Sequence, residues 1–376
     1  MGTRGQEKLS PGKKVSFFID KLASGVAQID FRITKIPPAG ASAAQAPAMV
    51  EYAGSHMLEP INIKYGNQIV QTINTEKHVW EKKLTKHQIL CEGFDYQMKG
   101  GQNFPLAQRQ ADWTQQEVFN YPLRHIWFDQ KNGVDRMHMP EAYNTELEVE
   151  VRMKQADAFI WTNNGAAPAE GLPTFEIEMV IRYYDFPSQL HSQKLLHHRD
   201  DNGGGMLHKF VDVEYFTYTI PAGPVPGDPQ TINIPLINFN KDVRQLTFLL
   251  GDESRADSPW SNDPYNDAKL HTIDTMAIIN NGQVLKEPQT DYENRVIYRP
   301  RFYPNAQIGD RIYFLAFSEF PMDKRNSTYT FNFGNRSAMQ LQITVTQSAN
   351  PRIFYIWADN ENLIHSVDGG IYKMLN

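Results

Sequence analysis

The sequence predicts an all-β fold built from two similar-sized β units, either sandwiches or barrels. Aromatic residues make up 12% of the 376 residues, including 17 Tyr and 21 Phe, and they lie among Val, Ile and Thr, which are also enriched in strands. Short runs alternate polar and apolar residues with the period of two of a half-buried strand. The clearest runs are residues 15–19, 28–33, 147–153, 174–181, 211–220, 312–317, 329–333 and 339–345.

Turn-forming clusters separate these predicted strands. They combine Pro, which restricts φ, with Gly and Asn, which tolerate positive φ, at residues 37–40, 163–165, 221–223 and 280–282. Many short strands joined by frequent turns are typical of sandwiches and barrels. The stretches 37–48 and 161–173 are longer, and we interpret them as surface loops inserted in the first unit.

One helix is predicted near the middle of the chain. Leucines share one helical face within residues 188–198, and a Gly run follows. Strand-rich segments lie on either side. We therefore predict a first β unit over residues 1–186, a helical and Gly-rich linker over 187–212, and a second β unit over 213–376.

Composition and charge exclude several classes of protein. With 41% hydrophobic and 21% charged residues, the chain can bury one large core or two ordinary ones, which excludes disorder throughout. The formal net charge of -6 shows no basic excess for nucleic-acid binding. The single cysteine, Cys91, cannot form an intramolecular disulfide, which suits a reducing compartment.

The N-terminal residues predict neither a signal peptide nor a lipid anchor. They are polar, and no apolar run in the chain approaches the roughly 20 residues that span a bilayer. A myristoylation site has Ser or Thr where this chain has Gln6. The N-terminal segment is weakly basic, with Lys8, Lys13 and Lys14. We interpret it as a flexible arm that could contact a neighbouring subunit.

Two groups of residues resemble metal sites, but neither has a metal-binding spacing. The first combines histidines with two carboxylates: His191, His197, His198, His208, Asp200 and Asp201. Adjacent His197 and His198 would point apart on a helix, so a solvated linker is the simpler interpretation. Acidic residues and Asn crowd residues 252–267, but Pro259 and Pro264 interrupt any calcium loop and indicate an exposed loop.

No catalytic constellation is predicted. Glu148 with Glu150, and Glu176 with Glu178, lie two apart on predicted strands and could mimic a glycosidase pair, although a solvated strand face explains them more simply. Cys91 has no catalytic neighbourhood, and the nucleophile-elbow, Walker and Rossmann patterns are absent. We therefore assign no catalytic, metal-binding or cofactor-binding residue.

Two glycosylation sequons and one basic pair do not indicate a function. Asn326 and Asn335 meet the glycosylation acceptor rule, but without a signal peptide they would not reach the secretory machinery. Lys324 and Arg325 form too small a basic group to predict nucleic-acid binding.

Five segments of the second half occur in a characteristic order. They are residues 234–248 (IPLINFNKDVRQLTF), 277–285 (AIINNGQVL), 309–321 (GDRIYFLAFSEFP), 332–335 (NFGN) and 358–364 (ADNENLI) with Gly369 and Gly370. Together they resemble the major capsid proteins of nucleocytoplasmic large DNA viruses and related double-stranded DNA viruses. Residues 181–186, 190–198 and 211–215 are similar to the strand, helix and strand that join the two barrels of that family.

The likeness is partial in two ways. Residues 324–327 (KRNS) replace the family's Gln-Pro-Ser-Gly, and Gly334 with Asn335 replaces its Ser-Arg pair, which indicates a distant branch. The first half resembles the family only in the content and position of its strands.

The resemblance implies two consecutive eight-stranded jelly-roll β-barrels joined by a short helical linker, in a structural capsid subunit and not an enzyme. It implies a homotrimer whose six barrels form a pseudo-hexagonal capsomer of an icosahedral virion, assembled in the host cytoplasm or nucleus. Implied partners are other copies of the chain, minor capsid and penton proteins, and an internal membrane or scaffold, with no cofactor and no specific nucleic acid. Residues 35–55 and 160–173 become the expected outward or inter-subunit loops.

Two other functions are compatible with the sequence. A carbohydrate-binding or carbohydrate-active β-sandwich protein could stack Trp161, Trp260 or Trp357 on sugar rings. A minor capsid or penton protein made of related barrels would share the same sequence features but form a pentamer or occur in low copy.

Overall fold

The computed structural model shows a chain built mainly of antiparallel β-strands. It describes residues 2–3, 7–21, 23–41, 47–50, 52–84, 106–123, 144–163, 165–185, 206–252, 270–303, 311–319, 321, 329–334, 338–367 and 370–374. Among these residues, no helix is both long and apolar enough to cross a membrane. The predicted all-β class is confirmed.

The strands are numbered β1 to β22 in chain order. They are Gly2–Thr3, Glu7–Leu9, Lys14–Phe18, Gly25–Ile36, Ala48–Met49, Ile61–Tyr65, Gln68–Ile73, Glu117–Leu123, Leu147–Arg152, Ile160–Trp161, Thr174–Tyr184, Met206–Ile220, Pro229–Pro235, Asp242–Asp252, Leu270–His271, Thr275–Asn280, Gln283–Thr290, Tyr313–Ala316, Phe331–Asn332, Met339–Thr346, Arg352–Val367 and Gly370–Met374. The helical segments are short: Ala53–His56, Thr75–Leu84, Leu106–Ala111, the 3-10 turn Asp112–Thr114, Ala156–Phe159, the π-helix Glu293–Tyr298 and Arg299–Phe302.

Contacts between residues divide the chain into two compact units. Unit 1 comprises Met1–Glu76, Gly93–Phe210 and Asn362–Asn376. Unit 2 comprises Lys77–Glu92 and Val211–Glu361.

Two sheets enclose the core of unit 1. One has the strand order β1-β11-β4-β8, with β2 also on β11, and the other has the order β3-β9-β6-β7. Alternate residues of β4, namely Ile29, Phe31 and Ile33, are fully buried, as the period of two requires. Phe17 of β3 meets Phe31 with ring centroids 5.7 Å apart, so apolar side chains of the two sheets pack against each other.

Unit 2 is built in the same way. Its first sheet has the order β12-β21-β14, with β15, β18 and β19 on the other edge of β14, and its second has the order β13-β20-β16-β17. Phe248 of β14 packs on Phe354 of β21 at 5.5 Å between centroids. Ile278 and Leu341 of the second sheet join the same buried cluster, so one core lies between the two sheets.

Both units share one strand order. The main strands of unit 1 are β2, β3, β4, β6, β7, β8, β9 and β11, and those of unit 2 are β12, β13, β14, β16, β17, β18, β20 and β21. Renumbered from 1 to 8 within each unit, they form sheets 1-8-3-6 and 2-7-4-5 in both cases. This is the jelly-roll order, in which two Greek keys place the strands in two facing sheets.

The N-terminal segment belongs to the first barrel. Strand β2 pairs with residues Phe175–Ile177 of β11, and Leu9 is 1% exposed. Lys14 is the first residue of β3. The interpretation of this segment as a flexible arm is therefore wrong for residues 7–9 and for Lys14, because a short strand becomes stable once a neighbouring strand satisfies its backbone.

The predicted strands and turns agree with the structure at most described positions. Each of the eight alternating runs overlaps a strand, and the hairpin between β16 and β17 turns at Asn281 (φ 50°) and Gly282 (φ 78°), as an Asn-Gly turn should. Strand β12 begins at Met206, inside the segment predicted as linker. The predicted helix at 188–198 and the Gly run lie outside the described residues.

The predicted surface loops are only partly exposed. Residues 39–40 and most of 163–172 are exposed or half-buried. Ala48 and Met49, however, pair with Trp161 and Ile160 in a two-stranded sheet, and residues 48–50 and 52–57 are buried. The expectation of an outward loop over 35–55 is therefore wrong for its second half, where apolar residues such as Tyr52 bury against unit 1.

Candidate functional site

The carboxylate pair on β9 is ion-paired. Glu150 accepts a hydrogen bond from Lys14 at 2.7 Å and another from Lys64, and Lys64 also lies 3.7 Å from Glu148. Burial alone would raise the pKa of Glu150, but the hydrogen bonds from Lys14, Lys64 and Asn62 outweigh it and lower the pKa to about 2. A glycosidase needs one carboxylic acid with a raised pKa. A carboxylate held ionised in this way cannot serve as that acid.

The second carboxylate pair follows the same pattern. Glu178 of β11 lies 3.3 Å from Arg32 of β4, which is half exposed. Glu176 and Glu178 face the same side of β11, directly opposite Thr34 and Arg32. Cross-strand pairs of opposite charge stabilise a solvated sheet face, so these residues need no catalytic explanation.

Most residues of the two metal candidates lie outside the described part of the chain. His208 lies in β12, while His191, His197, His198, Asp200 and Asp201 are not described. Of the acidic stretch 252–267, only Asp252 is described, and it contacts His271 at 2.5 Å. The described residues contain no group of three or more His, Cys, Asp or Glu that could hold a metal ion. Cys91, Asn326, Asn335, Lys324 and Arg325 also fall outside the described ranges.

One of the three tryptophans proposed for sugar stacking, Trp357, is not accessible. Trp357 of β21 is fully buried between Tyr215 and Tyr355, with ring centroids at 5.3 Å and 6.1 Å. Trp161 is partly buried in β10, and Trp260 is outside the described residues. A sugar-binding platform needs an exposed aromatic face, which Trp357 does not offer.

One open pocket of about 570 Å³ lies at the junction of β3 and β9. Its lining includes Phe18, Asp20, Lys21 and Glu146. Burial lowers the pKa of Lys21, and the nearby Glu146 partly offsets this. Its described lining residues include no Ser, Cys or His, so they do not supply the nucleophile and base of an acyl-transfer site.

Sequence reasoning missed a buried polar network in unit 2. Gln245 of β14 donates to Asp359 of β21 at 2.9 Å and accepts a hydrogen bond from Tyr303 at 2.5 Å. Lys77 donates to the other oxygen of Asp359, and burial raises the pKa of Tyr303. The signal was the polar Gln245 directly before the mainly apolar run from Leu246 to Leu250, on a strand buried on both faces.

The hydrogen bonds of this network indicate a structural role. Both carboxylate oxygens of Asp359 and the amide oxygen of Gln245 already accept hydrogen bonds from protein groups. Buried polar groups that satisfy one another fix a single packing of a core, whereas a catalytic site leaves groups directed at a substrate.

Comparison with known proteins identifies the fold. No protein-family model and no curated protein matches the sequence. Among solved structures, a quasi-atomic model of the PBCV-1 virus capsid matches with a TM-score of 0.72 at 14% identity, covering 100% of this chain and 98% of that one. The major capsid protein of Faustovirus matches with a TM-score of 0.62 at 10% identity (96% and 90% covered), and that of mavirus with 0.59 at 11% (100% and 90%). This chain is a double jelly roll.

Four of the five family-like segments coincide with strands of the second half of the chain. Residues 234–248 run from the end of β13 into β14, and residues 277–285 form the β16–β17 hairpin. Strand β18 lies within 309–321, while residues 358–364 lie in β21. The resemblance read from the sequence is therefore confirmed at the level of the fold.

Proposed function

We propose that this protein is a major capsid protein, a structural subunit of an icosahedral virion shell. The observation that carries the proposal is the extent of the likeness to viral capsid proteins, which covers 100% of this chain and 98% of the PBCV-1 chain. The likeness therefore extends over both jelly rolls of this chain. The ion-paired carboxylates and the internally satisfied network support a structural role over an enzymatic one.

We infer further that three copies form a pseudo-hexagonal capsomer. The shared strand order of the two units supports this, because a trimer then presents six similar barrels around its axis. We assign the first barrel to residues 1–186, the linker to 187–212 and the second barrel to 213–376. Residues 37–41, 163 and 165–172 are described parts of the loops that we assign to the capsid exterior or to contacts between subunits.

The proposed partners follow from a shell built of such capsomers. Other copies of this chain supply the contacts between capsomers, and penton and minor capsid proteins supply the vertices and the joints between facets. An internal membrane or scaffold would lie beneath the shell, and assembly would occur in the host cytoplasm or nucleus.

The test is the mass of the purified protein by light scattering, followed by negative-stain imaging. The expected result is a stable trimer of the 43.1-kDa chain with a hexagonal face. A pentamer would replace the proposal with a vertex protein. A monomer that binds oligosaccharides through one deep cleft would replace it with a carbohydrate-binding protein.

A further inference from the structure

Strand β18 lies at an edge of its sheet. It pairs with β14 along one side, with Phe314 opposite Thr247 and Ala316 opposite Gln245. No described strand pairs with its other side. Because backbone groups alternate between the two sides of a strand, the outward-facing positions include every second residue. An unpaired edge of this kind is a template for a strand from another chain.

Side chains occupy the place of the missing strand. Asn294 donates from Nδ2 to the carbonyl of Phe314 at 2.6 Å, and its Oδ1 accepts from the Phe314 N–H at 3.3 Å. The amide of Asn294 thus forms the donor and acceptor pair that a neighbouring backbone would form. Arg299 donates to the carbonyl of Ile312 and Lys286 to that of Ala316, so the carbonyls of residues 312, 314 and 316 all accept hydrogen bonds from side chains.

The unusual helix places two of these side chains together. Asn294 lies within the π-helix Glu293–Tyr298, and Arg299 follows it directly. In an α-helix, residues five apart point about 140° away from each other. The wider i→i+5 turn brings them towards the same side, and such turns are often found at functional positions.

Burying the polar side chains at these positions costs more desolvation free energy than burying apolar ones would. Asn294 and Arg299 are fully buried. Burial lowers the pKa of Lys286, whose ammonium lies 5.1 Å from the centre of the Phe317 ring. An apolar side chain at any of these positions would avoid the desolvation cost but would leave the β18 carbonyls without donors.

We propose that Asn294, Arg299 and Lys286 form an edge guard, which occupies β18 in place of a strand and prevents a strand of a second copy from pairing there. The guard controls how copies associate, because it removes one sheet edge from the surfaces available for pairing. It does not depend on the proposed capsid role, and its failure would leave that role untouched.

The test uses the full chain with Asn294→Leu, which removes both hydrogen bonds to Phe314. Asn233→Leu is the matched control, because Asn233 is an exposed residue of β13 that bonds Gln342 at 3.0 Å. Amide exchange of a peptide spanning 312–316 is measured by mass spectrometry, and mass by light scattering, over a range of protein concentrations. Asn294→Leu at low concentration should exchange at least tenfold faster than wild type, about 1.4 kcal/mol.

The decisive result is how the mass and the amide protection of 312–316 change as the protein concentration rises. The guard predicts that Asn294→Leu forms species larger than wild type and that protection of 312–316 returns in them, while Asn233→Leu behaves as wild type. Faster exchange without larger species, or unchanged exchange, would overturn the proposal. If Asn294→Leu does not fold, Lys286→Met removes only the donor to the Ala316 carbonyl. This variant is judged by the formation of larger species alone, because the lost bond protects no amide hydrogen.

Discussion

The most direct test of the packing in unit 1 is the buried ion pair between Lys35 and Glu117. Lys35 of β4 is fully buried, and its ammonium lies 2.5 Å from the Glu117 carboxylate, which is 7% exposed. The same ammonium donates to the carbonyl of Asp112 at 2.8 Å and lies 5.5 Å from the centre of the Trp113 ring. One side chain therefore joins β4, β8 and the turn before β8.

Replacing Lys35 by Met retains most of the volume and removes the charge. The Glu117 carboxylate then remains buried without this cation, and the carbonyl of Asp112 loses a donor. Breaking a buried pair in this way costs about 3–5 kcal/mol. The double variant Lys35→Met/Glu117→Leu removes both charges and should be more stable than Lys35→Met alone, because the buried carboxylate that has lost the Lys35 cation accounts for most of the loss.

The assay is urea unfolding, with amide exchange of peptides from β4 and β8 to locate the effect. Arg32→Met provides the control on the same strand, because Arg32 is 50% exposed and its pair with Glu178 should contribute less than about 1 kcal/mol. A loss for Lys35→Met no larger than that for Arg32→Met would refute the reasoning. So would a double variant less stable than the single one.

Three further predictions test other parts of the structure. Tyr303→Phe removes the buried hydrogen bond to Gln245 and should lower the free energy of unfolding by about 1–3 kcal/mol, measured in urea; no change would mean that the network is not formed. Glu150, with its lowered pKa, stabilises the fold above the unfolded pKa of about 4.3, and this contribution is lost as the pH falls towards 2. The advantage of wild type over Glu150→Gln, about 1–2 kcal/mol at pH 7 after solvent screening, should therefore shrink over that range, and a constant difference would contradict it. Deleting residues 1–9 removes β2 and the buried Leu9, so amides of β11 should exchange faster, and unchanged exchange would show that β2 is not part of the barrel.

Local patterns were sufficient to predict the strands and some of the turns. The period of two in β4, β9 and β20 arises because each strand has one buried and one solvated face. The polar or apolar character of each residue indicates its face, whichever strands become its neighbours. The Asn281-Gly282 turn is likewise local, because positive φ at both positions is favoured by those two residues alone. The absence of a predicted catalytic motif was also a local observation.

Short or doubly buried elements could not be predicted in this way. Strand β2 has only three residues, too few to show an alternation, and it forms because β11 supplies its backbone partners. Residues 48–50 and 52–56 include Ala, Gly and Ser, which are compatible with a surface loop, but tertiary contacts bury them. The network around Gln245 joins residues from four distant parts of the chain, so no single segment could indicate it.

The sequence by itself determined that this protein is all-β, where most of its strands lie and which family its second half resembles, because these properties depend on residues close together in the chain. Only the tertiary structure decided the identical jelly-roll order of the two units, the burial of Lys35 and Trp357 and the covered edge of β18. These depend on which strands become neighbours, and strand pairing is set by long-range burial and backbone hydrogen bonding that a local pattern does not contain.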